Sequence, residues 1–391
     1  MALPIKKEKL NQAFFLLSII IIIILAVLLF QKRFRLYFKK TPFSLKLIRI
    51  VGSADNLKGP AGVAFGRRNN IYVVDSGNSR IVKFNIKGGY IRQWGIEGKA
   101  TGEFMVPLFA AAYGNPERIY IVDSGNSRIQ VFKPDGNFVS EFGISKNSKR
   151  MLLQPTFVGF AYDKIYAANS GSDDIMIYLK NGQFYERKGG SSIQGGSAAA
   201  NAPAKNGANG GSPQNSAGNA GKSSNNGAGG SNAGGKVAGG SGSAAGGQTS
   251  ATSQAVSPVI FKKPVSIAFS KKYIYISDYN LSKILVYNRQ FDYIGSIGTP
   301  GQAGYQLYHP VGIVYKNGYL YVANYGRSLL TVFKLDNGYN VIKTYNFGTP
   351  GIGRDNFNHE SNISISLNGE YLAVADTNNN RILIYRIFGA K

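Results

Sequence analysis

Fourteen residues from Ile71, IYVVDSGNSRIVKF, return almost letter for letter from Ile119 as IYIVDSGNSRIQVF. Looser copies begin at Ile165 (IYAANSGSDDIMIY), Ile274 (IYISDYNLSKILVY), Leu320 (LYVANYGRSLLTVF) and Leu372 (LAVADTNNNRILIY). The spacing is about 47 residues, with one long interruption between the third and fourth copies. Repetition at that period constrains the fold more than any other feature, because a unit so short cannot bury an apolar face alone and must stack on its neighbours.

Each copy reads as two strands joined by a polar turn. A short apolar strand precedes it, opening with Pro60, Pro107, Pro155, Pro264 or Pro310 in five units and read as NISISL from Asn362 in the last. A further β-rich stretch follows five of the copies, from Tyr90, Phe138, Phe184, Tyr293 and Val341. Four strands per unit and six units predict an all-β, six-bladed β-propeller. The sixth unit has no fourth strand after Tyr385, whereas FSLKLIRIVG, residues 43–52, stands before the first unit with the right alternation. We expect that segment to complete the last blade, closing the ring and removing an exposed sheet edge.

The flanking segments predict the rest of the organisation. Residues 1–12 form a short basic tail, and residues 13–30, AFFLLSIIIIIILAVLLF, carry Ser18 as their only polar side chain. As a helix they would reach about 27 Å, which predicts a transmembrane span. A small-x-small cleavage site does not follow, so the segment reads as an uncleaved anchor with a basic linker at 31–42. Lys32, Arg33, Arg35, Lys39 and Lys40 outnumber Lys6, Lys7 and Lys9, which by the positive-inside rule alone would hold the propeller in the cytoplasm. Single-anchor chains with a short basic N-terminus commonly export the large domain, and an extracytoplasmic propeller is the expectation. The absence of Cys removes any disulfide argument.

Residues 191–258 contain no acidic or aromatic side chain and are built from Gly, Ser, Ala and Asn. Such a segment cannot offset its ordering entropy and is expected to be a disordered insertion, with the propeller divided into 43–190 (closing strand and blades 1–3) and 259–391 (blades 4–6). Strand alternation puts the DSGNSR-type turns, the interblade connections and the insertion on one face, called the upper face. The chain enters through Phe43 at the opposite face, so the upper face should point away from the anchor.

The pattern apolar-Tyr-apolar-apolar-Asp-x-x-Asn-x-Arg-Ile, at residues 72–81 and 120–129, resembles the NHL repeat. That resemblance implies fold more than activity, because NHL propellers include partner-binding and RNA-binding modules, extracellular sensor domains and a peptidyl-amidating lyase. The repeated polar residues Asp75, Arg80, Asp123, Arg128, Asp278, Asp376 and Arg381 read as structural turn residues: strand-end carboxylates accepting backbone N–H groups, with Arg pairing to Asp. Asn169 and Asp174, and likewise Asn324 and Leu329, depart from the pattern.

An enzymatic reading finds little support in the residues. The lyase uses a metal held by several His, and here only His309 and His359 exist, both read as solvated loop residues. Gluconolactonase-like propellers would need inward Glu, Asp and Asn, whereas the inner strands read GVAF, AAAY, VGF, SIAF, GIVY and SISL. The expectation is no metal and no cofactor. The net charge of +25, from 45 basic and 20 acidic residues, is spread along the chain and suits an anionic surface or polymer better than a nucleic-acid groove.

Tyr279 and Tyr325 stand where other units carry Ser or Thr, and with Lys283 and Arg327 they form the candidate binding site. Phe84, Phe132, Tyr178, Tyr287, Phe333 and Tyr385 recur once per blade and read as core. The function expected is a membrane-anchored, non-catalytic binding or scaffold protein whose upper face takes a protein or anionic polymer. A metal-dependent hydrolase or lyase at the channel mouth, and an RNA-binding module if the propeller is cytoplasmic, are the alternatives.

Overall fold

A computed structural model describes residues 7–37, 42–52, 56–147, 150–190, 261–303, 305–336 and 339–390. The insertion expected at 191–258 lies outside the described residues. Helix α1 spans Lys7–Tyr37, with side chains described for residues 14–29 and 31. The large apolar side chains among them are 39–67 % exposed. Among the described residues no helix is long and apolar enough to cross a membrane, so the transmembrane span expected at 13–30 is not shown.

Six four-stranded antiparallel sheets carry the repeats. Their inner strands are Pro60–Phe65, Pro107–Tyr113, Pro155–Ala161, Pro264–Phe269, Pro310–Lys316 and Glu360–Ile365. Each packs beside the next, and the last packs beside the first, which closes the ring. The inner strand of blade 6 opens two residues earlier than NISISL suggests, and it opens on a carboxylate. The expectation that no inner strand carries one is corrected by Glu360.

Ser44–Val51 is the outer strand of blade 6, antiparallel to Arg381–Phe388, with Ser44 opposite Phe388 and Val51 opposite Ile382. The closing strand is also fixed by packing. Phe43 is 8 % exposed and stacks on Tyr319 of blade 5 at 4.6 Å and 17°, with Tyr345 and Phe347 at 4.8 and 5.9 Å.

One apolar residue per connection plugs the seam between blades: Leu57, Phe104, Leu152, Phe261, Leu307 and Phe357 are all 0–2 % exposed. A glycine ends the strand before each plug. At Gly95 φ is +95°, and a Cβ there would lie 2.4 Å from the Phe104 ring, so only Gly fits. The six recurrent aromatics from Phe84 to Tyr385 are 1–6 % exposed and form the layer between blades, as expected.

Candidate functional site

The upper face is built by two straps that repeat around the ring. In every blade the residue ending the second strand accepts, on its side-chain oxygen, the backbone N–H of a residue just before the inner strand. Asp75 Oδ1 takes Lys58 N at 2.7 Å, and Asp123 takes Met105 N at 2.7 Å. Asn169 takes Leu153 N at 2.5 Å, Asp278 takes Lys262 N at 2.8 Å, Asn324 takes Tyr308 N at 2.9 Å, and Asp376 takes Asn358 N at 2.7 Å. The bond runs back to the segment ahead of the inner strand; Asp278 also accepts a backbone N–H of the following turn, Leu281 N at 3.0 Å, where Asp75, Asp123 and Asp376 accept the side-chain amides of Asn78, Asn126 and Asn379. An amide oxygen serves as well as a carboxylate, which is why Asn169 and Asn324 are tolerated.

In blades 1, 2 and 6 the second carboxylate oxygen takes the Nε of Arg80, Arg128 or Arg381 at 2.7 Å. Each Arg ties the preceding connection by its carbonyls, as Arg128 does at Ala100 and Glu103. Blade 3 reverses the signs. Arg128 pairs with Glu141 of the outer strand, and at the matching positions Asp174 pairs with Arg187. Burial pushes the Asp174 carboxyl up while Ser172, Asn169 and Arg187 pull it down. Blade 5 drops the charge: Asn324 Nδ2 donates to Thr331 Oγ1, which donates to Asn346.

Arg327 compensates for that loss. Its Nη1 donates to the Gln306 carbonyl at 3.0 Å, the counterpart of the Glu103 and Asn356 carbonyls held by Arg128 and Arg381. The guanidinium of Arg327, expected as a binding residue, is thus engaged in the connection through this bond. Lys283 is half-buried and opens the third strand of blade 4 opposite Asp278.

The second strap runs between blades. Ser282 and Ser328 adopt φ of +52° and +48° at the ends of their turns. Their hydroxyls accept the backbone N–H of His309 at 3.2 Å and of His359 at 3.3 Å. Both histidines themselves sit at positive φ, +51° and +57°, immediately before an inner strand. Left-handed backbone at a non-glycine residue costs free energy and is held here by the strap.

These straps set the two imidazoles against the two divergent tyrosines. Tyr279 stacks on His309 at 4.2 Å and 14°, and Tyr325 meets His359 at 4.6 Å. Tyr279 and Tyr325 are 6.2 Å apart, and Tyr308 covers the other side of His309 at 4.2 Å. A continuous row, Tyr308–His309–Tyr279–Tyr325–His359, thus crosses blades 4, 5 and 6 with every member half-buried. Lys263 sets its Nζ 4.7 Å from the Tyr279 ring centroid. Burial, aided by Lys263, lowers the His309 pKa, so that ring is neutral at pH 7. His359 Nδ1 lies 3.1 Å from Asn358 Oδ1 and 2.9 Å from Asn378 Nδ2. The reading of both histidines as solvated loop residues is corrected. The signal in the sequence is positional: Tyr in the turn and His before the next inner strand recur in consecutive blades.

Beneath the row, Glu360 takes the place that Pro holds in the other blades. It is 0 % exposed, and neither carboxyl oxygen has a hydrogen-bond partner. Burial above all, with the Asp376 charge adding to it, raises its pKa well above the ordinary value, against the weaker downward pull of the nearby backbone N–H groups of Glu360, Leu329 and Asn324. Among the described residues no three His, Asp or Glu side chains are grouped as metal ligands would be.

Residues 57–84, the first repeat with the segment leading into it, match the family model of the NHL repeat. No curated protein matches the chain. Among solved structures the chain is similar to a protein of unknown function from Bacteroides thetaiotaomicron, at 12 % identity and a TM-score of 0.56, over 88 % of this chain and 76 % of that one. It is also similar to a gluconolactonase from Xanthomonas campestris, at 10 % identity and a TM-score of 0.54, over 88 % and 98 %. Virginiamycin B lyase from Staphylococcus aureus gives 11 %, a TM-score of 0.49, and 88 % and 99 %. The molecule is a six-bladed β-propeller with an NHL repeat at residues 57–84, and at these identities the structural likeness is one of fold.

Proposed function

We propose that the chain is a membrane-anchored binding protein whose upper face takes a protein or anionic polymer partner on the Tyr–His row. The observation that carries this reading is the row itself. Five rings from blades 4, 5 and 6 pack in one row, its two histidines strapped and its two turn tyrosines left half open where the other turns carry Ser or Thr. Pre-ordered aromatic surface recognises a partner at low entropic cost. The exposed Lys262 and Lys263 beside it favour an acidic or anionic one. The gluconolactonase likeness supplies no ligand set to this chain and does not carry an enzymatic reading.

Anchoring is argued from sequence and helix together. Residues 13–30 lie within α1, are apolar on every face, and need an apolar surround that water does not give. The propeller is proposed to be extracytoplasmic, with the upper face away from the bilayer, because the chain reaches Ser44 at the opposite end of blade 6 from its Asp376 turn.

The test is a crosslinking pull-down from native membranes. Wild type should retain a specific partner that Tyr279→Ala/Tyr325→Ala loses by at least tenfold, with Lys283→Ala as a milder variant at the edge of the site. Equal capture by wild type and the double variant would refute the assignment of the site.

A further inference from the structure

Five of the six repeats carry Tyr at their second position: Tyr72, Tyr120, Tyr166, Tyr275 and Tyr321. Four of these residues are 0–4 % exposed, whereas Tyr120 is only half-buried. It lines a cleft of about 420 Å³ between blades 2 and 3, at the lower end of the ring, opposite the Tyr–His row. That volume falls within the range of ligand pockets, about 300–1,000 Å³.

Three other seams are closed at this level by side chains that cross them. Lys83, cross-strand partner of Tyr72, lies over the Tyr72 ring at 5.2 Å and donates to the Pro134 carbonyl of blade 2 at 3.0 Å. Arg289 of blade 4 lies over the Tyr162 ring of blade 3 at 4.5 Å. Tyr339 of blade 5 meets Tyr273 of blade 4 at 5.8 Å and donates to the Ile294 carbonyl at 3.1 Å. Between blades 2 and 3 the matching side chains do not cross. Val131 stands opposite Tyr120 and is too short to do so. Lys180, at the place of Pro134 and Arg289, is held by Asp163 of its own blade.

The cleft left open is both aromatic and cationic. Tyr113 and Phe160 stack in parallel at 4.2 Å and 3°, with Tyr120 4.5 Å from Phe160. Arg118 and Lys180 share the lining, which holds no acid. Among the described residues Arg118 makes one hydrogen bond, from Nη1 to the Glu117 carbonyl at 3.0 Å, and the phenols of Tyr113 and Tyr120 make none. Burial raises the Tyr120 pKa while the Arg118 charge draws it down, so guanidinium and phenol face the same space. The Lys180–Asp163 pair is 58 % and 88 % exposed, and such a pair yields its lysine readily.

The structure assigns this cleft to a small aromatic carboxylate, its ring against Tyr113 and Tyr120 and its carboxylate on Arg118 and Lys180. Arg118 holds the place that Tyr273 holds in blade 4, where Tyr339 supplies the missing ring; here the ligand supplies it. A guanidinium fork receives a carboxylate through two parallel N–H···O bonds, and a neutral ring leaves both cations unmatched.

The experiment uses the full chain in phosphatidylcholine nanodiscs, with 4-azidobenzoate as photolabel and peptide mapping of the adducts. Adducts are expected on the segments around Tyr113 and Phe160. Arg118→Gln should reduce them at least tenfold, and so should Val131→Lys, which gives this seam the crossing lysine of the first. Should Val131→Lys fail to fold, Arg118→Gln, a change at a half-buried strand end, carries the test alone. Unlabelled 4-hydroxybenzoate should compete at least tenfold better than 4-hydroxybenzamide, acetate or glucuronate. Tyr279→Ala/Tyr325→Ala should leave the labelling unchanged, which separates this cleft from the upper-face site. Equal competition by the amide, acetate or glucuronate, adducts confined to other surfaces, loss of labelling in the upper-face variant, or unchanged labelling in folded Arg118→Gln would overturn the assignment.

Discussion

Asp123 and Arg128 show how much of one repeat rests on a single buried pair. Their side chains are 0 % and 5 % exposed, and removing the carboxylate leaves the Arg128 Nε–H and the Met105 N–H without their acceptor. Asp123→Ala should cost about 3–5 kcal/mol in urea unfolding, against about 1–3 kcal/mol for Asn324→Ala in the uncharged blade; equal losses would contradict the distinction. Glu360 gives a pH test. It ionises near 4.5 as an unperturbed group and well above that in the fold, so between those values the folded state holds more protons. Stability must then fall as pH rises from about 4.5 through the folded pKa. Glu360→Gln should stabilise the protein at pH 7 and change little at pH 4, and a variant destabilised at both would count against the neutral buried acid. The structural role of the Asp and Arg residues was legible in the sequence because it repeats. Glu360 was not, because a residue replacing Pro at one strand start carries no periodic signal. The bond from Arg327 to the Gln306 carbonyl was not legible either, since in the other blades that task falls to an Arg two residues later, where Leu329 stands.

Strands and turns extend this to elements. The closing strand was legible as an orphan fourth strand, whereas its anchoring by Phe43 was not, since that contact joins residues far apart in sequence and belongs to the seam with blade 5. Removing residues 43–52 should expose the edge of Arg381–Phe388 and give an aggregated or unfolded ring, and Phe43→Ala should cost about 3–5 kcal/mol. A monomeric, fully folded truncation by sedimentation and circular dichroism would defeat the closure argument. In blade 3 the reversed pair predicts that Arg187→Glu alone destabilises by setting two carboxylates together. Adding Asp174→Arg should recover most of the loss, because blade 2 already holds the same pair in that sense. A double variant no better than Arg187→Glu would show that the two positions are not interchangeable.

At the scale of the whole molecule the histidines, their straps and the divergent tyrosines gather on one end of the ring, its upper face. The upper face was legible as a place, from the divergent turns of blades 4 and 5. Its composition was only half legible, because the histidines come from connections that become neighbours of those turns once the blades close. A reporter fused after Lys391 should be active only outside the cytoplasm if the proposed orientation holds. The central claim concerns the row itself, and site-specific photocrosslinking tests it most directly. A benzophenone side chain is placed at the exposed Asn280 or Ile352 on the upper face, or at the exposed Asn317 on the lower, and the cells are irradiated. The account predicts a discrete adduct from the upper positions that disappears when Tyr279→Ala and Tyr325→Ala are added, and no such adduct from Asn317. An adduct of the same mass from Asn317, or one from Asn280 that survives loss of both tyrosines, would contradict it.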